Sequence, residues 1–326
     1  MNEDKERITR RELLRGDGFS KIRKRGSQQL AAKQDEVAFQ LKKPDGQVCR
    51  GESPAASIPE YAIEMETSHR LAKFGETVFA TWSRLAIEHD AINLGQGFPD
   101  FEAPEFVKDA AVKAIRDGEN QYSRSAGHPK LVQAIADTFE VPMDPMDEVT
   151  VTCGSTETIA ASILGLVNPG DEVIVIEPFY DSYLACLSMA GAKVKIVTLH
   201  SPNFKLNESE LEEAFNDNTR MIILNTPHNP TGKVFSLDEL KTIAELAQKH
   251  NAIVLSDEVY DKLVLTGEHI PMATLPGMRD RTITLRSLGK VFSVTGWKIG
   301  WAVAPIAYSN AIRNAHQFLS FCAATP

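Results

Sequence analysis

Lys290 stands in the stretch SLGKVFSVTGWKIGW, and a second cation, Lys298, follows eight residues later between Trp297 and Ile299. Ser287 and Gly289 permit a tight approach to Lys290, and Val291 and Phe292 are expected to keep solvent from it. A desolvated lysine has a lowered pKa and presents a neutral amine to a carbonyl, the requirement of Schiff-base chemistry. The competing reading is a surface lysine that follows a strand. Asp257 closes the run AIVLSDE. It reads either as a turn or helix N-cap residue or as a carboxylate held at depth, where it needs a cationic partner such as a protonated ring nitrogen. Tyr260, three residues on, can direct its hydroxyl to the same ligand. NTPHNPTGK is first a rigid turn, and an Asn-Pro bond that adopts the cis form aims the Asn229 amide inward. CGSTETI resembles a strand-to-helix junction, with Ser155 and Thr156 where free backbone N–H groups bind an anion such as phosphate. It has neither a Walker lysine nor a GxGxxG spacing, so the common nucleotide motifs do not fit. Lys298 is then a second charge directed at phosphate.

The elements that must position these residues begin near Glu148. Short β-branched runs occur at EVTVT, EVIVIEP, KVKIVTL, RMIILNTP, AIVLSDE and TITLRS. Helical spacing lies between several of them: Ile159, Ile163, Leu166 and Val167 mark one helix, and Leu237, Leu240, Ile243, Ala244 and Leu246 another, opened by Ser236 with Glu239 three residues on. Apolar strands alternating with helices predict an α/β fold, a mostly parallel sheet sandwiched by helices. Polar residues follow several strand ends, at 154–156, 225–229, 257–260 and 287–290. In open α/β sheets the ligand crevice lies beyond the carboxyl ends of the strands.

Composition narrows the field. The chain has 326 residues, 43% of them hydrophobic, enough for one large core or two ordinary ones. A net charge of −9 argues against nucleic acid as a main partner. Four scattered cysteines suggest neither a metal site nor a disulfide framework. No apolar run approaches the roughly 20 residues needed to cross a bilayer, and no membrane association is expected. The basic, polar segment KERITRRELLRGDGFSKIRKRGSQQLAAK reads as disordered or as a removable leader. Glu3, Asp4, Glu6 and Glu12 count against an organelle transit peptide. The expected location is cytoplasmic, or an organelle if that extension is a transit peptide.

Together the candidate residues ask for one ligand with a carbonyl for Lys290, a ring nitrogen for Asp257 and a phosphate for Ser155, Thr156, Ser287 and Lys298. Pyridoxal 5′-phosphate carries all three groups. With that ligand in view, NLGQGFPDF, NQYSRSAGHPKL, EPFYDSY, NTPHNPTGKVF, SDEVYDKL and SLGKVFSVTGWKIGW closely resemble the class I, fold-type I aminotransferases. The most similar branch is that of the kynurenine, glutamine and methionine aminotransferases, and the likeness runs from about Glu76 to the last residue. The resemblance implies an extension over 1–75, an arm with part of a small domain over 76–103, and a large cofactor-binding domain over 104–326.

The resemblance also implies roles. Lys290 carries the cofactor and moves the proton between substrate Cα and cofactor; Asp257 partners the pyridinium nitrogen; Tyr260 and Asn229 bond the phenolic oxygen. Asn229 also meets the substrate carboxylate, as does the backbone of Gly97. Tyr180 stacks on the ring, with a plain core aromatic as the alternative. Ser155, Thr156, Ser287 and Lys298 form the phosphate cup. Tyr122 reaches the phosphate in a neighbouring subunit, which implies a homodimer with shared sites. Phe79 either lines the aromatic side of the substrate pocket or belongs to the core. The implied reaction is ping-pong transamination between an L-amino acid, of kynurenine, glutamine, methionine or aromatic type, and a 2-oxo acid. β-Elimination on cysteine S-conjugates and a non-catalytic cofactor-binding remnant are the alternatives.

Two departures from the family pattern stand out. Lys298 occupies a position where many relatives have arginine, although the kynurenine branch itself tends to use lysine. The chain also stops at FLSFCAATP, where relatives continue into a C-terminal small domain of roughly a hundred residues or more. That domain carries the arginine that clamps the substrate carboxylate. Arg313, in a helix-like segment, is expected to be a surface residue rather than its substitute.

Overall fold

The computed structural model describes residues 68–326, apart from 98 and 100. The extension expected over 1–75 therefore lies outside the described residues as far as residue 67. Ten helices are described: α1 Val78–Glu88, α2 Glu105–Asp117, α3 Pro129–Asp137, the single turn α4 Pro145–Glu148, α5 Ser155–Leu166, α6 Ser182–Ala190, α7 Glu208–Ala214, α8 Leu237–Lys249, the single turn α9 Leu288–Val291, and α10 Ile306–Leu319. The strands are β1 Val149–Thr152, β2 Glu172–Glu177, β3 Lys193–Thr198, β4 Thr219–Asn225, β5 Ile253–Asp257, β6 Thr282–Ser287 and β7 Gly300–Val303. None of the described helices is long and apolar enough to cross a membrane.

All seven strands form one sheet in the order β1-β7-β6-β5-β4-β2-β3. The pairs from β3 through to β6 are parallel, whereas β7 runs antiparallel to both β1 and β6. The six β-branched runs each become a strand. β7 has no such signal in its Gly-Trp-Ala-Val sequence, and it is a strand because it fills the gap between β1 and β6.

Successive side chains of a strand face opposite sides of a sheet, and the core divides accordingly. Met221 and Ile223 of β4 join Ile159, Ile163, Leu187, Leu255, Ile283 and Ile312 on one side, under α5, α6 and α10. Ile222 and Leu224 of the same strand join Ile174, Leu211, Leu240, Ile243 and Val254 on the other, under α7 and α8. A smaller cluster packs Val132 and Ile135 of α3 against Val149, Val151, Trp301 and Val303. The predicted opening of α8 is present as a full capping box, with the Ser236 and Glu239 side chains each bonded to the other's backbone.

Candidate active site

The register of the sheet sets the site. Asn225 pairs with Asp257 across β4 and β5, and Asp257 pairs with Leu285 across β5 and β6, two residues before Ser287. β4 and β5 therefore end level, β6 runs two residues further, and the chain leaves each end with a polar residue. A cavity of about 430 Å³ opens there. It is lined by Phe79, Gly97, Ser155, Thr156, Tyr180 and Asn229 on some sides, and by Asp257, Tyr260, Ser287, Lys290 and Lys298 on the rest. Of the residues expected at a site, only Tyr122 lies elsewhere.

One end of the cavity is built for an anion. Gly154, with φ +80°, turns the chain from β1 into α5 and gives that helix no side-chain cap. The first N–H groups of a helix have no acceptor of their own and carry its positive partial charge. Lys298 reinforces it: its Nζ lies 3.1 Å from the place where a Cβ on Gly154 would stand. Gly300 allows this closeness, since a Cβ there would fall 2.5 Å from Ser155 N. The first turn of α5 is anchored from behind by Glu157, which accepts from Cys153 N at 2.5 Å and from Ser320 Oγ at 2.6 Å, with His316 Nδ1 at 2.9 Å. The second ring nitrogen of His316 lies 2.9 Å from Ser125 O.

At the opposite end sits Asp257, 4% exposed. Burial pushes its carboxyl up to about 6, against bonds from Tyr183 and the Val259 amide that favour the anion. Tyr183 Oη donates to Oδ2 at 2.6 Å, and Val259 N donates to Oδ1 at 3.3 Å. Burial and then the Asp257 charge push the Tyr183 hydroxyl well above its ordinary value, so it stays a donor. Asn225 ties the neighbouring strand ends together: its Nδ2 donates to Asp257 O at 2.9 Å, and its Oδ1 accepts from Asn229 N at 2.7 Å. The Asn229–Pro230 bond is cis, as is Thr226–Pro227. His228, in the same turn, is buried, and burial followed by the Lys233 charge lowers it to about 4.

Lys290 stands between these two ends, on α9. Its Nζ donates to Gly97 O at 3.2 Å and lies 5.4 Å from the Tyr260 ring centre. Burial and then the Lys298 charge lower its pKa, while Asp257 works the other way. Burial and then the Asp257 charge push Tyr260 up to about 12, which leaves its hydroxyl protonated. Tyr180 Oη lies 3.4 Å from Thr156 Oγ1, and the Tyr180 ring is tilted 47° to that of Phe79 at 6.3 Å.

Several expectations need correction. Val291 is exposed, so it does not shield Lys290; Gly97 and Tyr260 do. Phe79 is not a core residue, because it lines the cavity. Tyr122 needs none: expected at a neighbouring subunit's site, it is 83% exposed and stacks edge-on to Phe321, outside this chain's cavity. Arg313 is not a surface residue: it is half-buried and donates to Thr150 Oγ1, Met146 O and Val149 O, joining α10 to β1. Sequence reasoning missed Tyr183 and Asn225, although both lie in motifs already singled out, EPFYDSY and NTPHNPTGK.

The donor set fits pyridoxal phosphate. It offers an uncapped helix start with a lysine for a dianionic phosphate, a buried carboxylate with no salt bridge among the described residues for the ring nitrogen, and a depressed lysine for the aldehyde. Comparison with known proteins bears on the same region. The family model for aminotransferase class I and II matches residues 89–326. A kynurenine–oxoglutarate transaminase of Dictyostelium discoideum is 46% identical over 282 residues, covering 79% of this chain and 65% of that protein. Kynurenine–oxoglutarate transaminase 3 of Rattus norvegicus is 42% identical, with 81% of this chain and 62% of that protein covered. The chain thus spans a little under two thirds of the length of these relatives. Among solved structures, N-succinyldiaminopimelate aminotransferase of Mycobacterium tuberculosis superposes with a TM-score of 0.78 at 47% identity, covering 80% of this chain and 70% of that one.

Proposed function

Because this chain belongs to the class I and II aminotransferases, we propose that it binds pyridoxal 5′-phosphate and takes part in transamination between an L-amino acid and a 2-oxo acid. The observation that carries this is the position of Lys290: one half-buried amine between the anion-binding start of α5 and the buried Asp257 carboxyl. Ser155, Thr156, Ser287 and Lys298 would hold the phosphate, Asp257 the ring nitrogen, Tyr260 and Asn229 the phenolic oxygen, and Tyr180 one face of the ring. When bound, the cofactor supplies a sink for the electron pair left at the substrate Cα.

The chain's own residues do the rest. Lys290 Nζ, depressed by burial, is the base that takes the Cα proton and the acid that returns it. Asp257, raised to about 6 by burial, returns to its anionic form against a protonated ring nitrogen. Tyr183 and Val259 hold the two carboxylate oxygens in place for that contact. Tyr260, protonated throughout the neutral range, remains a hydrogen-bond donor. The Phe79 and Tyr180 rings form an aromatic wall that suits a substrate of aromatic, kynurenine or methionine type. The names of the Dictyostelium and rat relatives support the same class. Tyr122, exposed and away from this cavity, suits a role in the cavity of a second copy within a homodimer.

The test is direct. The purified chain is mixed with pyridoxal phosphate, reduced with borohydride and mapped by peptide mass; the label belongs on Lys290. On a separate, unreduced sample, a single half-reaction with kynurenine or methionine, followed by cofactor absorbance, reads amino-group transfer. A label spread over surface lysines removes the proposal.

A further inference from the structure

The strand ends that face the cavity also have a rear side, and that side carries charge. Glu258, Asp261 and Arg286 are all buried, and none of them lines the cavity. Their sequence neighbours do: Asp257 and Tyr260 on one segment, Ser287 and then Lys290 on the other. Arg286 Nη2 donates to Glu258 Oε2 at 2.9 Å and to Glu140 Oε2 at 3.0 Å. Its Nε lies 3.3 Å from Asp261 Oδ2, an ion-pair contact without hydrogen-bond geometry, and its Cζ lies 4.5 Å from the Phe139 ring centre. Glu258 is held further by Ser256 Oγ at 2.9 Å, Met272 N at 3.2 Å and His269 Nε2 at 3.1 Å. Burial alone would push Glu258 up and Arg286 down; their mutual charges, with His269, Asp261 and Glu140, outweigh it in both.

Resting on the reading of the site given above, we propose that Arg286 is a positioning residue whose guanidinium grips Glu258 and Asp261 and so fixes Asp257 and Tyr260 against Ser287 and Lys290. Adjacency along the chain makes this possible: Arg286 precedes Ser287 at the end of β6, and Glu258 and Asp261 directly follow Asp257 and Tyr260. A guanidinium suits the task because it is planar and offers several donors in fixed directions, whereas an ammonium supplies the charge without the fork. Net stability is a weak explanation for the cluster, since buried ion pairs rarely outdo apolar packing of equal volume. Geometry is the better one: the grip spans the two chain segments that must together meet one small ligand.

Arg286→Lys separates the two explanations. It keeps the charge among the carboxylates and loses the fork. If the cluster serves only stability, Lys restores both folding and cofactor behaviour. If it positions, the variant folds but binds pyridoxal phosphate about tenfold more weakly, and the pH midpoint of the bound cofactor's absorbance moves by about half a unit or more. Asp261→Asn, isosteric and on the other half of the grip, is measured alongside and carries the same expectation if the lysine variant does not fold. Wild-type affinity and midpoint in the folded variants overturn the inference, whatever happens to Tm. Absence of a Lys290-linked absorbance band from the wild-type chain overturns the reading of the site and the inference with it.

Discussion

The Tyr183 hydroxyl donates to Asp257 Oδ2 across 2.6 Å, and both side chains are buried. Tyr183 is the sole side-chain donor that Asp257 has among the described residues. Tyr183→Phe leaves that oxygen buried without a donor, which costs about 1–3 kcal/mol. The carboxyl then rises further above 6, and the affinity for pyridoxal phosphate at pH 7 falls about tenfold, read by fluorescence titration. An unchanged Kd would reduce Tyr183 to a packing residue.

The raised carboxyl also makes stability depend on pH. Asp257 binds its proton up to about pH 6 in the folded chain, against an ordinary value of 3.8. Between those values the folded state holds a proton that the unfolded state releases, so this group's contribution to stability falls as pH rises. Asp257→Asn removes that dependence. The stability of the variant minus that of the cofactor-free wild type should therefore climb by about 2 kcal/mol from pH 4 to 6 in urea melts. His228, lowered to about 4 from 6.5, acts with the opposite sign across the same range, but it is common to both proteins and cancels. A difference that is flat with pH means the carboxyl titrates normally.

Lys290→Ala should bind pyridoxal phosphate without a borohydride-stable label, because no other lysine amine is buried beside Asp257 among the described residues. Peptide mapping of the reduced protein decides it. Label retained at wild-type stoichiometry on one other lysine moves the site there.

Glu239 ties the Asn229 turn to α8. It accepts from Lys233 Nζ at 2.7 and 2.9 Å, from Leu206 N at 2.9 Å, and from the amide and hydroxyl of Ser236 at 2.9 and 3.1 Å. Burial pushes its carboxyl up, yet these partners bring it below the ordinary value. Glu239→Ala leaves the half-buried Lys233 without its counter-charge and should cost about 3 kcal/mol, the low end for a buried pair. A denaturation midpoint within error of wild type would show that water replaces the network.

Gly300→Ala places a methyl group 2.5 Å from Ser155 N, a distance that forces the start of α5 to move. The expected result is weaker binding of inorganic phosphate and of the cofactor, with circular dichroism preserved. Equal affinity in both assays means the anion is held elsewhere.

Much of this site was legible because it sits in short runs of sequence. Lys290, Asp257, Asn229 and Ser155 each follow an apolar run, and strand ends gather such residues whatever the distance between them along the chain. What escaped depended on distance. Arg286 lies within TITLRS and meets Glu258 and Asp261, 28 and 25 residues away, so its neighbours along the chain give no sign of its partners. β7 has no periodicity of its own, being four residues set by strands on both sides. Nothing in its motif sets Tyr183 apart from Tyr180, since only the packing of α6 shows which ring reaches the carboxylate. Arg313 has a helical pattern around it that says nothing of the three acceptors on β1 and α4.

The grip of His316 and Ser320 on Glu157 gives the cavity a reach beyond its own walls. These residues join the far end of α10 to the very turn of α5 that faces the anion. Docking of α10 and occupancy of the anion position are then thermodynamically reciprocal: whatever free energy one lends the other is returned in equal measure. Loosening α10 some distance from the ligand should raise its dissociation constant, and filling the cavity should slow amide exchange along α10.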